Sequence, residues 1–161
     1  MASTPLTEQD AEELVAAVKS ITQDLTWKHS QNEAWARSEM PVENDLGMDL
    51  RMFATANLKE PSLFTFSLVV SRAFRIRGLC VNRGHINKHT DRNEWRPGTH
   101  AHRWTDKCRD RFAYTPTIEI STNIPAAFDE FCQECNIEFT GQVRPLPSRQ
   151  MDISEAAQAQ S

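Results

Sequence analysis

A chain of 161 residues, 39% hydrophobic and 25% charged with a net charge of −4, is long enough to bury a core without disulfides and suits one domain. Its longest nearly apolar run, 64–70, is far shorter than a bilayer-spanning helix, and its acidic first 20 residues lack the basic start and apolar stretch of a signal peptide. Membrane and secreted mini-protein classes are therefore not expected, and four cysteines read as reduced thiols of a cytoplasmic protein.

In chain order, Thr7 and Asp10 resemble a capping box, followed by acids that suit the positive end of a helix dipole. Leu14, Val18, Ile21 and Leu25 recur at helical spacing, which predicts a helix over 7–22. A short hairpin around Trp27 and Trp35, turning at 30–33, follows. Met48, Leu50, Met52 and Ala54 alternate as in a strand, and 63–71 reads as a buried strand. Residues 75–81 continue as a strand with a bulge near Gly78. The polar, turn-rich stretch 82–98 reads as a loop, 99–104 and 114–120 as strands, and 125–137 as a helix with Pro125 in its first turn.

The expectation is one α+β domain over 1–140, with two helices on a mainly antiparallel sheet of four to six strands. Residues 141–161, poor in large apolar side chains, read as a disordered tail.

Charge is segregated. Residues 1–70 balance at −6, 71–111 at +7 and 112–161 at −5, and the middle segment holds four of the five histidines. Such a basic block in an acidic chain is the footprint of an anionic partner, unless the flanking acids fold back on it. His100 and His102 are two apart, so on a strand both leave the same face. His85 and His89 lie in the preceding loop, from which His85 could reach that face.

Three readings follow. Two histidines can act as general base and acid on a ribose 2′-hydroxyl and a leaving oxygen, since imidazole titrates near neutrality. Arg83, Lys88, Arg92, Arg96 and Arg103 would then stabilise the phosphorane-like charge and hold RNA. Alternatively His85, His100 and His102 bind zinc and leave a position for water. The third reading is structural. Cys132-x-x-Cys135 falls within the second helix and reads as buried structural thiols, with Cys80 and Cys108 lacking the paired spacing of a zinc hook.

The run Leu63–Leu68, Arg75–Cys80, His85-Ile-Asn87, Gly98–His102, Asp110–Tyr114 and Phe131–Ile137 resembles a small uncharacterised bacterial family of prophages and mobile elements, over about residues 48–140. That pattern is in turn distantly similar to TumE-type toxins of toxin–antitoxin pairs. The resemblance implies an RNA-directed, toxin-like fold with a cognate antitoxin, and a site at Arg75, Arg77, His85, Asn87, His100 and His102. After Asn87 this chain has Lys88-His89-Thr90-Asp91 where the family pattern has Asn-Pro-Asp-Gly. The leading expectation is a metal-independent ribonuclease, with a non-catalytic binding or inhibitor protein and a His-ligated metal-dependent hydrolase as alternatives.

Overall fold

Thr7 opens the first helix, α1 (Glu8–Ala16), with a complete capping box: Asp10 N donates to Thr7 Oγ1 at 3.0 Å and Thr7 N to Asp10 Oδ2 at 3.2 Å. The computed structural model describes residues 6–32, 34–82, 99–116 and 120–147, and the backbone of 85–86 and 95–96. The helix stops well short of Thr22. Ala17 is extended, Val18 is exposed, and the chain turns into strand β1 (Lys19–Ile21). The cause is Lys19, whose buried ammonium donates to the carbonyls of Leu14 and Val15 at 2.7 Å and Ala17 at 2.5 Å. A cation on the last carbonyls satisfies the helix end and its dipole. Burial nevertheless pulls the Lys19 pKa down to about 8.

Next come β2 (Lys28–His29), β3 (Trp35–Asn44), β4 (Leu50–Asn57), β5 (Phe64–Val70) and β6 (Phe74–Val81). A two-stranded ribbon, β7 (His85–Ile86) with β8 (Trp95–Arg96), precedes β9 (His100–Thr105) and β10 (Arg109–Tyr114). Helix α2 (Ile124–Glu134), N-capped by Asn123, and β11 (Ile137–Phe139) follow.

One sheet dominates. Its order is β10-β9-β6-β5-β4-β3-β1-β11, with β2 paired to β3, which makes nine strands among the described residues. The expected α+β sheet of four to six strands is thus corrected to a mostly β architecture with two helices. Two strands were hidden: β1 inside an apolar run that mimics a helix face, and β11 beyond α2. They pair in parallel, Lys19 with Ile137 and Ile21 with Phe139. Two further boundaries move. The bulge falls at Ile76, between the pairs Leu68–Arg77 and Val69–Arg75, and β10 ends at Tyr114, where a strand was expected to begin.

The central strands alternate strictly. Leu50, Met52, Ala54 and Ala56 of β4 and Phe64, Phe66, Leu68 and Val70 of β5 are buried, while their neighbours are half-buried. The buried face meets both helices. Phe66 packs edge-on to Phe128 at 5.2 Å and stacks with Phe131 at 6.0 Å, and Arg77 reaches acids of both helices from the same face. Beyond Gly141, Val143 bridges Leu25, Trp27 Nε1 donates to Arg144 O at 3.1 Å, and Arg144 pairs with Asp24 at 2.8 Å. Of the stretch expected to be a tail, residues 148–161 lie outside the described residues.

Candidate metal centre

Register decides which residues meet. In β6–β9 pairing, Leu79 faces Ala101, Cys80 faces His100 and Gly78 faces His102. Leu79 and Ala101 line a helix-side cavity with Phe131 and Glu134, so Cys80, Gly78, His100 and His102 leave the sheet on the opposite face. There the two imidazoles meet edge to face, ring centroids 4.8 Å apart, each 2% exposed. The ligating atoms of Cys80, His100 and His102 lie within 4.8 Å of one another. Around a tetrahedral zinc ion, donors 2.0–2.3 Å from the metal sit roughly 3.4–3.7 Å apart. The observed 4.8 Å limit exceeds that spacing by about 1 Å.

Arg75 borders this cluster. A Cβ built at Gly78 would meet Arg75 Cδ at 3.1 Å and His102 Cβ at 3.4 Å, so the absent side chain is what lets the Arg75 stem run beside His102. Arg75 Nη2 donates to Asp110 O at 2.8 Å, and its buried Nε–H meets no acceptor among the described residues. Arg77, by contrast, lies on the helix side. Its guanidinium forms a two-pronged pair with Glu12, 2.9 Å on each prong, and has Glu134 Oε1 at 3.8 Å. Burial alone would lower its pKa, but the pairing with Glu12 and the charges around Tyr114 and Glu134 leave it raised. Arg103 also faces the helix side and stacks on Phe112 at 5.1 Å.

Of the other expected site residues, His85 and Arg96 are cross-strand backbone partners in the β7–β8 ribbon, and their side chains lie outside the described part. Arg83, Asn87, Lys88 and Arg92 lie outside the described residues. Asn82 N donates to Thr99 Oγ1 at 3.2 Å and Asn82 Nδ2 to Ser62 O at 3.1 Å. Sequence reasoning weighed Cys80 only beside Cys132 and Cys135 and did not join it to the histidines. Its link to His100 is a matter of strand register, which no local motif announces.

The second thiol pair differs. Cys132 and Cys135 are buried against the core, burial pushes Cys132 up to about 12, and Cys135 is raised further by the same cause. Thiols held protonated are neither nucleophiles nor ready ligands. Tyr114 is likewise held protonated by burial and by Glu134, to which its hydroxyl donates at 3.0 Å. No described helix is long and apolar enough to cross a membrane.

A family model described as a family of unknown function (DUF6978) matches residues 6–137, and the chain belongs to that family. No curated protein and no solved structure matches it.

Proposed function

We propose that this family member binds a divalent transition-metal ion of the zinc class through Cys80, His100 and His102 and serves as a metal-dependent hydrolase. One observation carries the reading: a thiol and two imidazoles converge within 4.8 Å on one face of the sheet, with both imidazoles buried. One sulfur and two nitrogens suit zinc, and three protein ligands leave a fourth position for water or substrate. Such an ion supplies Lewis acidity and brings the pKa of a bound water near neutrality. The chain's part is preorganisation. Antiparallel pairing holds Cys80 opposite His100, and the two-residue period sets His102 beside it.

The competing reading is a metal-independent, toxin-like ribonuclease with a cognate antitoxin, and the positive balance of 71–111 speaks for it. In the fold, however, Arg72 lies 3.8 Å from Asp49, Arg75 4.0 Å from Asp110, and Arg77 is enclosed by Glu12 and Glu134. Three of the eleven cations of that segment are thus answered within the chain. Imidazoles 2% exposed suit ligation better than proton exchange with a polymer in solution. The prophage and TumE-type likeness rests on its motifs alone. Four free cysteines suit a reducing compartment such as the cytoplasm.

The test is zinc stoichiometry of the purified full chain, with cobalt substitution to reveal thiolate ligation. Close to one ion per chain is expected, with affinity lowered by at least ~10–100-fold in Cys80→Ser and His102→Ala. Failure to hold any ion, or wild-type affinity in both variants, overturns the proposal. RNA cleavage that persists in EDTA and vanishes in His102→Ala would restore the ribonuclease reading.

A further inference from the structure

Residues 1–70 carry a net balance of −6, yet the fold gathers cations from this acidic part on the sheet face turned away from the helices. In β2–β3 pairing Lys28 sits directly opposite Arg37, and cross-strand partners share a face. Both residues are exposed. Pairing of β3 with β4 continues the row from Arg37 to Thr55 and sets Phe53 opposite Glu39. Arg51 lies two residues from Phe53 along β4, on the same face.

Here Thr26, Lys28, Arg37, Arg51, Phe53 and Thr55 line a cavity of about 410 Å³, the size of pockets that take small molecules. Like charges directly opposite each other on neighbouring strands destabilise a sheet. Among the described residues, no carboxylate pairs with Lys28 or Arg37. Glu39, the one acid among the described lining residues, is engaged by Arg51 Nη1 at 3.0 Å, and Asp49 holds Arg51 Nε at 3.2 Å. That guanidinium is thereby fixed in place, and neither acid engages its Nη2. The cavity is left with the two positive charges of Lys28 and Arg37 unanswered among the described residues.

We propose that this cavity binds a small phosphate monoester with an aromatic body, its phosphate held between Lys28 and Arg37 and its ring against Phe53. A phosphate monoester carries roughly 1.5 to 2 negative charges at neutral pH, which matches the two unanswered cations. The planar fork of an arginine fits phosphate oxygens, and a lysine adds a mobile point charge. Phe53 is half-buried, so its ring is anchored in the sheet while part of it borders the cavity, where a second ring gains by edge or offset packing. This site stands apart from the Cys80–His100–His102 cluster. The row from Arg37 passes Thr55 and Thr65 before it reaches Cys80, three strand spacings or about 14 Å away. The inference therefore does not rest on the metal reading.

Calorimetric titration of the purified full chain with phenyl phosphate, inorganic phosphate and phenol tests this. Phenyl phosphate should bind more tightly than either fragment, and equally well in EDTA. Lys28→Gln and Arg37→Gln should each weaken it by roughly 10-fold, the loss of one charge-assisted hydrogen bond. Phe53→Ala should weaken phenyl phosphate by about 3- to 10-fold and leave inorganic phosphate unchanged. Exposed Lys107, between β9 and β10 at the far end of the sheet, is the control, and Lys107→Gln should change nothing. Unfolding temperatures of Lys28→Gln and Arg37→Gln should hold or rise, because each change relieves the like-charge contact; a fall in both assigns the cations to the fold and overturns the inference. It is equally overturned by absence of phenyl phosphate binding, by unchanged affinity in both variants, or by an equal loss in Lys107→Gln. Binding abolished by EDTA would seat the phosphate on a metal ion instead, which overturns this site and leaves the metal reading standing.

Discussion

The two faces of the sheet are built by the same strands from alternate residues, yet they do opposite work. On the helix side, apolar side chains interlock with α1 and α2, and the groups that could react are neutralised. Arg77 is fixed between two carboxylates, and Cys132 and Cys135 are kept protonated by burial. On the other side Cys80, His100 and His102, groups that could react, stand together with Arg75 at their border. Chemistry in this fold is thus sorted by parity. A residue type has consequences here only in combination with the face it occupies, as Cys80 beside the histidines and Cys132 and Cys135 in the core show.

That contrast can be broken from the helix side first. Phe66→Ala should destabilise the protein by about 3–5 kcal/mol, because it removes the ring between Phe128 and Phe131. Denaturant unfolding checks this, and zinc stoichiometry of the folded fraction should be unaffected. Arg77→Met comes next. It strands Glu12 and Glu134 near the core, but both acids are more than a third exposed, so solvent limits the loss to about 1–3 kcal/mol. At the small end, Arg37→Ala, on an exposed position of β3, should change stability by less than about 0.5 kcal/mol. A large unfolding effect at Arg37, or loss of zinc in Phe66→Ala, would blur the division between the faces.

Part of this arrangement was legible in the chain. The Thr7 cap, the alternation of β4 and β5, and the shared face of His100 and His102 each follow from a period or a local hydrogen bond. What escaped depends on partners distant in sequence. Leu14, Val18, Ile21 and Leu25 keep helical spacing, yet Val18 points to water and Ile21 belongs to a strand, because Lys19 closes the helix from beneath. Strand β11 is three residues long and carries no period of its own. Cys80 joins the histidines only through register with β9, and Arg77, which looked like a phosphate ligand, is turned inward by the bulge at Ile76.

The parallel match of Lys19–Ile21 with Ile137–Phe139 also sets the timetable of biosynthesis. A nascent chain can assemble its hairpins as they leave the ribosome, but the outer backbone of β1 stays open until the final strand emerges. Asn136 seals the same junction, its side-chain amide donating to Ala16 O at 2.7 Å. A premature stop inside α2 would therefore leave a sheet with a raw border, ready to recruit a neighbour's strand.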